Sequence, residues 1–347
     1  MCNIAGYAGN RQAAPILLEM LRKQQPYDGD ICTGVATIHE GKLYCKKING
    51  NVDAFLKEFD LAELPGTVGI AHSRPGESPD ALPRHPFLNM DKTMALCANG
   101  TSPKTKYWAD RDAALDMLDA AGYEFLQIFP NEKGHSPKFS KDGRAVHGAE
   151  VTLHLVDYYY KRGKTIQQAM AIANTRMYTD MVTVMVNEEY PDSIFALRHT
   201  RSMEAVMENG ETYMATTRFG FPEELKNEPM MLPLFHVCEL TKDGIHIHKE
   251  KMEVEPVSEM TPYTYAEGYR RVEELLKSSP EPLYFDQLET AVGKMRDLWP
   301  GEHTFVQHAR LVYDLLWQFD REGRLQREMR VQNLKSGTRH RWYFSLK

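Results

Sequence analysis

"MCNIAGYAGN", residues 1–10, decides how this chain is read. Cys2 stands directly behind the initiator methionine, where removal of Met1 would expose its own α-amino group. Cysteine attacks as the thiolate and needs a base to take its proton. A free α-amino group, with an unperturbed pKa of about 7.7 to 8.0, is such a base and stands a few bonds from the sulfur. One residue would then supply nucleophile and base together.

The four other cysteines, Cys32, Cys45, Cys97 and Cys238, bring the total to five and form no Cys-x-x-Cys pair. Neither a disulfide framework nor a zinc site is expected, and the four read as small buried thiols. His246 and His248, in "GIHIHKE", would share one face of a strand, but no third ligand accompanies them, so neither a metal nor a cofactor is expected. Across 347 residues, 42% are hydrophobic and 26% charged, with a formal net charge of −6. That composition is ordinary for a soluble globular protein and does not point to a nucleic-acid binder. No apolar run approaches the roughly 20 residues of a membrane span and no signal-peptide pattern opens the chain. A cytoplasmic protein without membrane contact is the expectation.

Downstream of the opening, "APILLEMLRKQQ" (14–25) spaces its apolar residues as a helix, with Pro15 suited to a first turn. "TGVATIHEGKLYCKKING" (33–50) reads as a hairpin turning at Glu40-Gly41, and "TVGIAHSR" (67–74) and "KTMALCANG" (92–100) as short strands ending in polar residues. A helix over 107–122 is followed by a surface loop in "NEKGHSPKFSKDG" (131–143). Two helices over 148–163 and 165–177 precede strands in "MVTVMVN", "SIFALRH" and "TYMATT". Strands, a helix pair, then strands is the order of a layered α+β domain.

The Pro-bearing "EVEPVSEMTP" (253–262) marks a boundary between residues 2–258 and a smaller unit, 262–347. The latter reads as three helices and a hairpin with its turn at Lys335 to Gly337, the order of a winged-helix module. From Arg321 onward eight Lys and Arg face two Asp and Glu, a local basic patch.

"MCNIAGYAG", "GIAHSRPG" and "CANG" occur in that order, and together they resemble the class II glutamine amidotransferase domain, an N-terminal nucleophile hydrolase. That family shows Met-Cys-Gly-Ile-x-Gly, then Gly-x-x-His-x-Arg-Trp-Ala-Thr, then Asn-Gly. "PYDGDICTGVA" resembles its Arg-Gly-Tyr-Asp-Ser-x-Gly run through Tyr27, Asp28 and Gly34, and His85 in "HPF" matches its His-Pro-His. The resemblance spans roughly residues 2–240 and implies a four-layer αββα sandwich. It implies Cys2 as nucleophile, Asn99 and Gly100 as oxyanion donors, and Arg74 as holder of the substrate carboxylate, with His72 and His85 in the substrate-binding set.

Several positions depart from the family pattern. Asn3 replaces a glycine, Gln25-Pro26 an Arg-Gly, and Pro75-Gly76 a Trp-Ala. Gly148, in "VHGAEV", stands where the family's aspartate binds the substrate ammonium, so Glu77 or Glu150 would have to compensate, or the natural amide lacks the amine.

The resemblance implies hydrolysis of glutamine or a related small amide through a thioester. Ammonia would go to a partner synthase subunit or to solvent, because no synthase domain follows; a homo-oligomer is compatible with this. The competing reading is a catalytically altered sensor or regulatory protein that uses the C-terminal winged helix to bind protein or, through its basic hairpin, nucleic acid.

Overall fold

The computed structural model describes residues 2–74, 85–100, 108–126, 128–129, 145–301, 303, 305–334 and 337–347. Pro75-Gly76, Glu77, the 131–143 loop and Lys335-Ser336 lie outside them. The chain begins with β1 (Asn3–Ala8), α1 (Ala13–Gln24), β2 (Cys32–His39), β3 (Lys42–Asn49), α2 (Val52–Glu58), β4 (Val68–Arg74), β5 (Phe87–Leu88) and β6 (Met94–Asn99). Next come α3 (Trp108–Ala120), the ribbon β7 (Ile128–Phe129) and β8 (Ala145–Val146), α4 (Gly148–Tyr160) and α5 (Ile166–Arg176). A run of strands follows: β9 (Val182–Asn187), β10 (Ile194–Arg198), β11 (Glu204–Glu208), β12 (Glu211–Ala215), β13 (Met230–Met231), β14 (His236–Thr241) and β15 (Gly244–Lys251). The last segment holds α6 (Pro262–Ser278), β16 (Leu283–Tyr284), α7 (Phe285–Lys294), α8 (His308–Arg321), β17 (Leu325–Leu334) and β18 (Gly337–Leu346).

A seven-stranded sheet, β13-β11-β12-β1-β4-β2-β3, faces a six-stranded one, β15-β14-β10-β9-β6-β5. Side chains alternate between strand faces, and here both faces are apolar. On β1, Ile4 and Ala8 enter the core between the sheets, with Ala36, Ile70, Val184, Ala196 and Met214. Ala5 and Tyr7 point the other way, onto Leu17 and Leu21 of α1. On β6, Ala95 and Cys97 face the inter-sheet core while Leu96 and Ala98 pack under α4 and α5, on Val151, Leu155 and Ala169. The order of layers is therefore helix, sheet, sheet, helix.

Residues 262–347 pack α6, α7 and α8 against a three-stranded sheet, β16-β18-β17. Thr261 caps α6 by accepting the Thr264 N–H at 3.1 Å, with Pro262 at the first helical position. Gly268 lets α8 approach α6, since a Cβ there would stand 2.9 Å from Leu311 Cδ2. Their core of Val272, Phe285, Leu311, Phe319 and Phe344 also takes in Tyr27 from the loop after α1. Charges tie the segment to the sheets as well. Arg201 bridges Asp180 at 2.7 Å and Glu289 of α7, and Arg198 donates to Gln307 Oε1 at 3.0 Å. Burial opposes ionisation of Glu289, yet His308 and Arg201 hold its carboxyl down to about 2.

Candidate functional site at the Cys2 end of the sheets

Cys2 immediately precedes β1, which lies between β12 and β4. The β1–β4 register pairs Asn3 with Ser73, so one step further brings Arg74 abreast of Cys2. On the other side, the Thr216 N–H donates to Ile4 O at 3.2 Å, and Ile4 N–H returns a bond to Thr216 Oγ1 at 2.9 Å. From the facing sheet, β6 ends at Asn99. Cys2 N–H donates to Asn99 Oδ1 at 3.2 Å, and Asn99 Nδ2 donates to Cys2 O at 2.7 Å. The two sheets thus meet at the residue that sequence singles out as a nucleophile. Gly100 follows in a tight place: a Cβ there would lie 2.6 Å from Met181 Cα, so only glycine fits without moving backbone.

His72 and His85 sit behind this junction. His72 Nε2 lies 3.2 Å from Ala98 O and so carries the proton it donates, while His85 Nδ1 accepts the Ala98 N–H at 3.2 Å. Their rings stack with centroids 4.0 Å apart. Both imidazoles grip the residue before Asn99. Gly34, across from His72 in the β2–β4 register, makes room for this, because a Cβ there would stand 2.1 Å from His85 O. Burial, reinforced by the Arg74 charge, pushes His72 down to about 3. Burial first, then neighbouring His72, His147 and Arg74, holds His85 well below its ordinary value. These are neutral rings at physiological pH, suited to holding backbone.

His147 meets His85 edge-on at 5.2 Å and caps α4, its Nδ1 accepting the Ala149 N–H at 3.2 Å. Gly148 is the first residue of that helix and does not need a positive φ; a Cβ on it would find only Met177 Cε, at 3.8 Å. Glu150, offered by the sequence as a compensating acid, is buried and accepts the Leu126 N–H at 2.8 Å, which makes it an anchor for the segment before α4.

Asn3 is put to use by the fold. Its Nδ2 donates to Gln24 O at 3.2 Å and also to Asp28 O, tying the end of α1 and the 26–31 loop to the start of β1. Gly29, at φ +120°, brings that loop so close that a Cβ would stand 3.0 Å from Asn3 Nδ2 and 3.3 Å from Arg74 Cα. Ile31 N–H then donates to Arg74 O at 3.1 Å.

Among the described residues, no group of three His, Cys, Asp or Glu could hold a metal ion. His246 and His248 do sit together, centroids 4.4 Å apart, with His248 Nε2 2.9 Å from Glu239 Oε2. No described helix is long and apolar enough to cross a membrane. Among the described residues of the basic C-terminal segment, Arg324 pairs with Glu273, Arg327 with Asp320 at 2.9 Å, Arg330 with Glu328 at 2.8 Å and Arg341 with Asp28 at 2.9 Å. Sequence counts charges, and the fold has spent these on its own carboxylates.

Sequence reasoning passed over Thr216, Met181 and His147. Thr216 and Met181 act through neighbours remote in the chain, and His147, besides capping its own helix, meets the distant His85, so no local signal marks these roles.

Two curated relatives are longer chains that match part of this one. Glutamine–fructose-6-phosphate aminotransferase [isomerizing] of Pyrococcus horikoshii is 25% identical over 218 residues, covering 62% of this chain and 32% of that protein. The protein of the same name from Caldanaerobacter subterraneus subsp. tengcongensis is 28% identical over 222 residues, covering 62% and 31%. The chain is similar to a part of each of these glutamine–fructose-6-phosphate aminotransferases. It spans about a third of the length of these curated relatives. No family model matches. Among solved structures, glutamine phosphoribosylpyrophosphate amidotransferase from B. subtilis, complexed with ADP and GMP, superposes with a TM-score of 0.58 at 13% identity, over 81% of this chain and 60% of that one. A structure of the allosteric regulatory enzyme of purine biosynthesis gives the same score and identity over 94% and 66%. At such identity these two speak for the fold alone.

Proposed function

We propose that residues 2–258 form an amide-hydrolysing domain acting on glutamine or a close analogue, with Cys2 as nucleophile once the residue before it is removed. The α-amino group takes the thiol proton and the thiolate adds to the side-chain amide carbon. Asn99 Nδ2, which has a second hydrogen besides the one on Cys2 O, and the Gly100 N–H receive the oxyanion. Collapse expels ammonia with the proton held by the amine and leaves a thioester. Water then adds to that thioester, releasing the acid and restoring the thiol. Arg74, beside Cys2 at the end of β4, holds a substrate carboxylate by its planar fork. His72 and His85 support the Ala98–Asn99 backbone, and Gly148 leaves the ammonium position without an acid.

The single observation that carries the reading is the pair of hydrogen bonds between Cys2 and Asn99. It joins the backbone of Cys2 to the side-chain amide of Asn99 where the ends of two sheets meet. Residues 262–347 have the helix and strand order of a winged-helix-like module. In this proposal they form a separate unit that braces the amidase domain, and the ammonia acceptor lies on a partner protein. Cys2→Ala should abolish ammonia release and covalent labelling by a glutamine-like electrophile, while Cys97→Ala leaves both. Burial pushes the thiols of Cys45 and Cys238 up to about 11 and about 12, and that of Cys97 well above its ordinary value, so none of the three competes as thiolate. Full turnover in Cys2→Ala, or an intact mass that retains the preceding residue in active protein, defeats the proposal.

A further inference from the structure

The loop that borders the candidate site is held from outside, residue by residue, by the last strand of the chain. Trp342 N–H of β18 donates to Pro26 O at 2.7 Å. The Tyr27 ring stacks between Phe219 at 4.8 Å and Phe344 at 5.8 Å. Arg341 Nη2 lies 2.9 Å from Asp28 Oδ1, with side chains only 6% and 1% exposed. His340 N–H donates to Asp30 Oδ2. Inward, the same loop touches the site: Asp28 O accepts from Asn3, the neighbour of Cys2, and Ile31 N–H donates to Arg74 O.

We propose that Arg341 is a positioning residue of the amide site, fixing the 26–31 loop so that Asn3 and Arg74 hold Cys2 and the substrate carboxylate in register. This rests on the amidase reading of residues 2–258. Apolar packing of Tyr27 would be enough to attach the C-terminal segment. The buried Arg341–Asp28 contact adds direction, because the same Nη2 also lies 3.5 Å from Asp286 Oδ2 and removing Arg341 would leave the buried Asp28 carboxylate without it. Asp28 receives that constraint on its side chain and passes it on through its own carbonyl to Asn3.

The test compares Arg341→Gln and Arg341→Lys with Arg271→Gln, which breaks an exposed pair with Asp297 (3.0 Å) in the same segment but away from the loop. Steady-state ammonia release from glutamine is measured well below each melting temperature, together with hydrogen exchange at the Ile31 amide. Arg341→Gln should raise KM by roughly ten-fold or more and lower kcat less, since a small displacement of positioning groups is enough to impair binding and alignment. Arg341→Lys should recover part of the loss, and Arg271→Gln should leave KM unchanged at a comparable melting temperature. Protection at Ile31 should fall in Arg341→Gln while Val184, in the middle of the other sheet, keeps its own. If Arg341→Gln does not fold, the charge-free pair Asp28→Asn with Arg341→Gln serves for the same comparison. An unchanged KM with Ile31 still protected overturns the proposal. Should the unmodified protein release no ammonia, the amidase reading fails and Ile31 exchange decides alone: lost protection supports the brace, retained protection refutes it.

Discussion

Asn99 and Cys2 exchange two hydrogen bonds running in opposite directions, the Cys2 N–H to Oδ1 and Nδ2 to the Cys2 carbonyl. This fixes the carboxamide so that its remaining N–H has one orientation, the condition for a donor that acts without reorganising during reaction. Asn99→Ala should therefore lower kcat by about 10²- to 10³-fold with a smaller change in KM. Asn99→Asp, which turns the donor into an acceptor, should fare no better. Single-turnover thioester formation measures both.

Arg74 ends β4 beside Cys2 and is largely buried. Arg74→Lys keeps the charge but loses the planar fork, so apparent affinity for a carboxylate-bearing amide should drop markedly. An amide without a carboxylate should be nearly indifferent. Equal losses for the two substrates would make Arg74 a structural residue.

Gly148 opens α4 with room for a side chain. Gly148→Asp should raise stability by about 1 kcal/mol, combining loss of the glycine helix penalty with a favourable carboxylate at a helix N-terminus. If the missing acid is what weakens the pocket, the same change should lower KM for glutamine but not for an analogue lacking the α-amino group. Melting temperature and the two KM values test both halves. A stable variant with unchanged preference would show that another group reads the ammonium.

Stability should fall with acid. Burial keeps His72, His154 and His199 neutral, at about 3, 4 and 4. The unfolded chain protonates these rings from about pH 6.5 downward and the native state does not, so each removes up to about 1.4 kcal/mol per pH unit as pH drops through that window. Glu204 acts in the opposite sense: burial raises its carboxyl to about 7, so the native form keeps a proton that the unfolded form has lost, and stability declines as pH rises toward 7. Three rings outweigh one acid. The urea midpoint should therefore fall from pH 6.5 to 4.5, and a flat profile would contradict the burial of these imidazoles as neutral groups.

Local rules determined a good deal. The apolar spacing of residues 14–25 forms α1, and Glu40-Gly41 turns the β2–β3 hairpin with both residues at positive φ, +50° and +68°. The motif order marked Cys2, Arg74 and Asn99-Gly100, and the fold brings all of them to one end of the two sheets. Strand β1 was harder to see, because it is buried on both faces and so lacks the period-two alternation that betrays a half-exposed strand. Only tertiary structure decided that Asn99 joins Cys2, that His72 and His85 grip Ala98 with His147 against His85, that Gly34 clears space for His85, and that Asn3 and Gly29 dock a loop gripped by Arg341. It also decided that the C-terminal arginines serve ion pairs within the chain. The reason is common to all of these. Periodicity and turn chemistry act over a few residues, whereas a hydrogen bond or ion pair between residues 97 or 313 positions apart depends on strand register and on which faces of two sheets meet.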